Sequence, residues 1–526
     1  MIFVIFLTSM CYNYAVLLNI RLKLLLGECI LMFQFENRLL KLKHEVLTRV
    51  VVLAKENKLC KEELEKIPFE MIVGDEPNYR ETVDRERNIV LERAKLAAGY
   101  MPNGKNGQEL VEIDEEKQIL YVIKEACDRC PTNKFQVTDS CRNCVAHKCQ
   151  SVCNFGAISY VNGKAYIDPD KCKECGMCNK VCPYDAIAED MRPCKKACPT
   201  GALSYNADDL RAEITESKCV NCGACMSECP FGAIEDKSSL VRVVNKLMEK
   251  ENIYAVVAPA ITGEFGAKTT YGQVKNAIKA LGFTDMVEAA CGADAVTVHE
   301  STEFVERMEK GDSYMTNSCC PGFLSYIEKM MPDQAERISG TVSPMVATGR
   351  YIKAKDKDAK VVFIGPCTAK KSEVLIESIK DAIDYALTFE ELIALFDAFE
   401  IEPEKCEDIV VDQASIFGRN FAVGGGLTAA IENFIQEKGV EIEFKPVKVS
   451  GGAEIKKTMT MAKVGKLPGN FIEGMMCEGG CINGAAKIAP VMKAKAPFAK
   501  INQQTTIKTV LSNKALEEYH NIDLER

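Results

Sequence analysis

From Leu240 to the C-terminus, short apolar runs alternate with longer amphipathic ones. YAVVAPA, KVVFIGPC, DIVVD and EIEFKPVKVSGG read as strands. YGQVKNAIKALG, EFVERMEK, FEELIALFDAF and LTAAIENFIQEKG read as helices. That alternation predicts an α/β domain with covered sheets, large enough to bury a cofactor. Residues 36 to about 98 are helical in period, joined through a proline-containing segment near Pro68 and Pro77, and predict a small helical cap or docking element. Between Tyr121 and about Asp236 the pattern breaks into short segments separated by cysteines.

A length of 526 residues suggests two to four domains. Net charge is −9 with both signs interspersed, so no nucleic-acid face is expected. The first 31 residues are apolar, but Asn13, Asn19, Arg21 and Lys23 interrupt them, and they lack a basic start or a cleavage site. They read as an extension from a misassigned start, with Met32 the working initiator, and a membrane contact is the alternative.

Cysteine changes the picture. There are 26, and sixteen fall between Cys127 and Cys229. Packed CxxC repeats in a long chain argue for metal ligation in a reducing, oxygen-poor interior, the cytoplasm of an anaerobic cell, rather than for disulfides. Cys172, Cys175, Cys178 and Cys182 precede Pro183, and Cys219, Cys222, Cys225 and Cys229 precede Pro230. In this CxxCxxCxxxCP run three cysteines bind one [4Fe–4S] cluster and the fourth reaches a partner cluster. A zinc ribbon is the competing reading, but it gives no reason for the third cysteine or the proline.

The partner rule then allocates all sixteen. Cys141, Cys144, Cys149 and Cys182 would hold one cluster, and Cys172, Cys175, Cys178 and Cys153 a second. If the segment from 141 to 182 is an insertion splitting an outer motif, Cys127, Cys130, Cys194 and Cys229 hold a third, and Cys219, Cys222, Cys225 and Cys198 a fourth. His147 is not needed as a ligand, Cys60 reads as an ordinary free thiol, and Cys291 and Cys406 read as buried thiols.

The C-terminal half adds Cys319 and Cys320 in TNSCCPGF, Cys367 in GPCTAKKSE, and Cys477 and Cys481 in EGMMCEGGCINGAA. Cysteines from three distant loops, set among glycines and prolines, suit a buried [4Fe–4S] site assembled by tertiary folding. The adjacent pair could also be a strained vicinal disulfide.

These three motifs, in this order, resemble the signatures of the [FeFe] hydrogenase catalytic domain over roughly residues 250 to 500. The resemblance implies an H-cluster, a [4Fe–4S] unit bridged to a di-iron unit carrying CO, cyanide and a dithiolate. Cys320, Cys367, Cys477 and Cys481 would hold its cubane, with Cys481 as the bridge. Cys319 would relay protons through Glu300, Ser339 and Glu303, with Arg307 on the same helix face, although by pattern alone such a face is more often simply solvated. Lys370 would hydrogen-bond a cyanide, and Met475 would pack beside the di-iron unit. Departures from the family pattern surround that unit: Ala258 in place of serine, Gly365 of methionine, Met345 of glutamine. Gly424 to Gly426 lack the GxGxxG order and resemble a helix start instead.

The implied organisation is a leader (1–31), a helical N-terminal region (32–120), ferredoxin-like α+β domains with up to four [4Fe–4S] clusters (121–238) and an α/β catalytic domain (239–526). The implied function is reversible reduction of protons to H2, with ferredoxin or a similar small carrier as donor and maturation enzymes as partners. An H2 sensor or a non-catalytic iron–sulfur protein of the same fold is the alternative.

Overall fold

The computed structural model describes residues 33 to 526 apart from 34, 36, 105–108, 114–117 and 267, so the leader lies outside the described residues. The C-terminal half holds two parallel sheets. In the larger, the strands run in the order Asp285–Glu288, Ile253–Val257, Lys360–Gly365, Tyr385–Thr388, every pair parallel. In the smaller, Phe471–Met475 lies between Met315–Thr316 and Pro446–Ser450, again all parallel. Parallel strands require helical crossovers that cover the sheet faces, which is why Val256, Ile364 and Phe389 are wholly buried.

The long helix Ala289–Glu309 leaves the edge strand directly. Its first turns are alanine and glycine, and Gly292 lets helix Pro344–Lys355 approach so closely that a Cβ there would stand 2.6 Å from the Pro344 carbonyl. Helix Phe389–Ala398 starts with a capping box between Thr388 and Glu391.

The cysteine-rich segment is two ferredoxin-like units, one nested in the other. Strand Leu120–Val122 pairs antiparallel with Ile234–Asp236, and inside that bracket Phe135–Val137 pairs with Ile187–Glu189. The hairpins Ile158–Val161 with Lys164–Ile167 and Leu203–Tyr205 with Ala212–Ile214 complete the inner and outer units. The splitting of an outer motif by an inserted one is therefore a feature of the fold.

Helices Arg38–Lys55, Lys61–Met71 and Val83–Ala97 form the cap. Lys43 lies 3.4 Å from Glu235 of the outer unit and 3.7 Å from Glu390 of the α/β half, and Arg93 lies 3.3 Å from Glu235. These enclosed charges join all three parts.

Several expected elements differ. Pro68 sits inside a helix, three residues before its end, rather than in a connector. Residues 100 to 119 are not helical where described, and Tyr100 bridges Glu112. DIVVD is not a strand: Val410 is 92% exposed, and Asp408 instead accepts a hydrogen bond from Thr270. In EIEFKPVKVSGG only Pro446–Ser450 is extended in a sheet. Cys406 is half-buried, not buried like Cys291.

Candidate functional site

The four accessory motifs share one backbone recipe. The residue before the second cysteine of each CxxC is left-handed: Arg129 (φ 52), Asn143 (φ 49), Glu174 (φ 53) and Asn221 (φ 52). Three residues after each last cysteine the chain is left-handed again, at Gly156, Asp185, Gly201 and Gly232. That turn aims the next amide back at the sulfur: Ala157 at Cys153 (3.4 Å), Ala186 at Cys182 (3.3 Å), Ala202 at Cys198 (3.2 Å) and Ala233 at Cys229 (3.4 Å). Repeated N–H donation to sulfur stabilises thiolate charge and tunes an iron–sulfur cluster.

The groupings follow the cysteine arithmetic. Cys194 lies in the field of Cys229, Cys127 and Cys130, and Cys225 in that of Cys222, Cys219 and Cys198. Cys153 lines one small cavity with Cys172, Cys175 and Cys178, while Cys149, Cys144 and Cys141 surround Tyr160. Cys182 rests with that last set on the arithmetic alone. Burial, then neighbouring thiols, push Cys194 up to about 11, and a metal that takes the place of its proton would offset that cost. Among the described residues no three His, Cys, Asp or Glu side chains converge on a position for a single ion. Thiols at the corners of a cubane stand further apart than around one zinc.

Where the carboxyl ends of both parallel sheets meet lies an apolar chamber of about 90 Å³. Much of the wall lies at or just past the carboxyl end of a strand: Ala258 and Pro259, Ala289 and Ala290, Cys319 and Cys320, Pro366 and Cys367, Met475 to Cys477. That is the usual position for a ligand in parallel α/β folds. Cys320, Cys367, Cys477 and Cys481 all face it, joined by Cys319, Lys370, Met475 and Met345. Gly480 adopts φ +106, and a Cβ there would stand 2.7 Å from the Gly424 nitrogen, so the CxxxC loop needs glycine to close. Four thiols in an apolar, glycine-lined cradle fit a cubane and a neutral-walled organometallic group. Burial, then the thiols around them, raises Cys367 to about 11 and Cys481 to about 12.

Cys222 lines the same chamber from the outer ferredoxin-like unit. The contact is sealed by Thr368, which donates to the Asn221 carbonyl at 2.7 Å, and by Gly223 (φ +74), where a Cβ would strike Ala485 and come within 2.7 Å of Thr368 Oγ1.

Lys370 is enclosed with Glu373 at 2.6 Å. Burial pulls its pKa down, but Glu373 and the thiols outweigh that and hold it raised, so it stays an ammonium. Its Nζ lies 3.4 Å from the Cys319 carbonyl.

The acidic residues divide into two groups. Ser339 donates to Glu303 Oε2 at 2.6 Å, and Arg307 pairs with Glu303 Oε1 at 2.7 Å. Glu300 is completely buried, with the Ser339 hydroxyl and the Ser318 amide as weak, long-range donors to its carboxyl and no close partner. Burial, then the Glu303 charge, pushes it up to about 8. Glu300 acts on Cys319 electrostatically, and Cys319 itself is raised first by burial and then by that carboxylate.

Two residues escaped sequence reasoning. Asn317 donates to Cys319 Sγ at 3.2 Å. Glu473 accepts from the Gly425 and Thr428 amides at 2.7 and 2.9 Å, which fixes helix Gly426–Lys438 beside the chamber. Glu473 meets its partners only in the tertiary fold, whereas Asn317 stands two residues before Cys319 inside TNSCCPGF, where its side-chain amide was a local signal.

Comparison with known proteins places the site in context. Residues 251–485 match the model of the iron only hydrogenase large subunit, C-terminal domain. Residues 165–188 match the 4Fe-4S binding domain and residues 188–240 the LdpA Fe-S cluster-binding domain. Iron hydrogenase 1 of Clostridium pasteurianum is 30% identical over 61% of this chain, and the periplasmic [Fe] hydrogenase large subunit of Nitratidesulfovibrio vulgaris is 31% identical over 62%. The match spans 64% of the first relative, under two thirds of its length, and 86% of the second. A shorter similarity, 31% over 23% of this chain and 25% of the relative, reaches the cytosolic Fe-S cluster assembly factor NAR1 of Meyerozyma guilliermondii. A solved apo [FeFe]-hydrogenase from Chlamydomonas reinhardtii aligns at TM-score 0.45 and 20% identity, over 52% of this chain and 89% of that one.

Proposed function

The chain belongs to the iron-only, or [FeFe], hydrogenase family, and on that footing we propose that it interconverts two protons and two electrons with H2 in the chamber at the sheet ends. The observation that carries this reading is the convergence there of Cys320, Cys367, Cys477 and Cys481 with Cys319, Lys370 and Met475. The four cysteines would hold the H-cluster, Cys481 as the bridge, and that group when bound supplies the making and breaking of the H–H bond.

The protein's own part is charge delivery. Cys319 holds a proton at Sγ and exchanges it with Glu300, which burial keeps protonated to unusually high pH. Ser339 and Glu303 continue the route outward, and Arg307 pins Glu303. The Lys370 ammonium faces an anionic ligand, and Met475 excludes water. The cysteines of residues 121–238 would hold accessory clusters that supply electron transfer, with Cys222 nearest the chamber and ferredoxin or a similar small carrier as donor. Residues 239–526 then form the catalytic unit and residues 32–120 the cap. Assembly needs maturation enzymes. Among the described residues no helix is long and apolar enough to cross a membrane.

Infrared spectroscopy after co-expression with maturation enzymes tests the reading. CO and cyanide stretching bands with H2 production from a reduced viologen are expected. Absence of the bands in a chain that keeps its cubanes would favour a non-catalytic role like that of the assembly-factor relatives.

A further inference from the structure

Among the accessory motifs that run unbroken, one departs in spacing. Four residues separate Cys144 from Cys149, where two separate Cys175 from Cys178 and Cys222 from Cys225. The longer loop carries His147 in a left-handed conformation (φ 39). That turn lays its ring on Tyr160, with centroids 3.8 Å apart and planes 20° from parallel. Tyr160 stands on the hairpin strand Ile158–Val161, and its hydroxyl is 3.3 Å from Cys149 Sγ. By comparison, the Thr200 hydroxyl stands 3.6 Å from Cys198 Sγ in the outer unit. The two inserted positions therefore have a structural use: they buttress a phenol against one ligand sulfur.

We propose that Tyr160 tunes the cluster held by Cys141, Cys144 and Cys149, raising its reduction potential above what the shared backbone bonds set. This rests on the reading of those cysteines as cluster ligands. A thiolate on iron has no proton to give, so the phenol is the donor. Its O–H then points at sulfur whose negative charge grows when the cluster accepts an electron, and the bond strengthens in the reduced form. The step is a one-electron uptake with no bond made or broken at the tyrosine. His147 contributes by restraining the ring, not by ligation. The consequence is an electron-holding station in the inner unit, able to keep one electron while a second arrives, as a two-electron reaction requires.

The full chain, loaded with clusters, is titrated electrochemically while electron paramagnetic resonance follows each cluster and iron is counted. In Tyr160→Phe one midpoint is expected to move to more negative potential by about a tenfold change in the reduction equilibrium, about 59 mV for one electron. The other midpoints and the iron content stay as they were. His147→Ala, which keeps the hydroxyl but frees the ring, is expected to move the same midpoint in the same direction by less. Unmoved midpoints in a Tyr160→Phe chain that keeps its iron would overturn the proposal. If Tyr160→Phe loses iron, unmoved midpoints in His147→Ala would do so. A native chain without reducible clusters would instead overturn the ligand reading, and the proposal with it.

Discussion

Asn317 holds Cys319 by its side chain: Nδ2 lies 3.2 Å from Sγ, while Oδ1 accepts from the Gly474 amide at 2.8 Å. The carboxamide is wholly buried and tied to the central strand of the smaller sheet, so the thiol's direction is set by the fold. Asn317→Ala should slow viologen-driven H2 production by about tenfold, the value of one buried hydrogen bond. The carbon monoxide and cyanide bands should stay unchanged, separating aim from assembly. Full turnover in this variant would show that the thiol needs no such support.

Glu300 makes a pH prediction with a definite sign. Its pKa is about 8 in the folded chain against 4.5 for an ordinary glutamate, mainly through burial. Between those values the folded state keeps a proton the unfolded state has lost, so stability falls as pH rises through this window and levels off above it. Glu300→Gln removes that penalty. Its Tm should equal that of the native chain near pH 4 and exceed it by about 3 °C or more at pH 8, while H2 turnover drops by about tenfold or more. An equal Tm difference at both pH values would refute the buried-acid account.

Gly223 marks the seam between the outer ferredoxin-like unit and the chamber-forming half. Gly223→Ala adds a Cβ that meets Ala485 and Thr368 at a left-handed position. Strain of about 1–3 kcal/mol should open the seam and slow electron passage from the Cys222 cluster. Stopped-flow reduction should show the accessory clusters filling at the native rate while H2 appears late.

The CxxxC loop is tested by Gly480→Ala. With φ +106 and a Cβ set against the Gly424 amide, the variant cannot close the cradle. The expected outcome is loss of about four irons from the chamber cubane, counted against an unchanged accessory set. Retention of all iron would mean that the loop adapts.

Much of this was legible in sequence because iron–sulfur ligands come in contiguous, spaced runs. Cys172 to Cys182 and Cys219 to Cys229 announce themselves, and counting partners exposed the nesting before any strand pairing was known. The chamber cysteines were found because three motifs each carry their own glycine or proline. DIVVD failed because an apolar run does not say whether a sheet edge is within reach. Pro68 failed because burial of Leu64 and Ile67 on one face holds the helix together although proline forgoes one of its backbone bonds. Glu473 looks like any polar residue until distant segments meet, and Asn317, though only two residues from Cys319, shows its anchor on Gly474 only in the fold.

The nested strand pairs also order the events of synthesis. Cys127 and Cys130 leave the ribosome early, but Cys194 and Cys229 follow only after the whole inner unit has emerged. The inner unit closes on itself once Glu189 pairs with Phe135, so it can collapse first. Metal loading should then run from the inside of the bracket outward, with one thiol pair waiting as an open half-site. A ribosome-arrested chain long enough to expose residues up to about 190 beyond the exit tunnel should already carry the iron of two clusters, and Cys127 and Cys130 should still react with alkylating reagents.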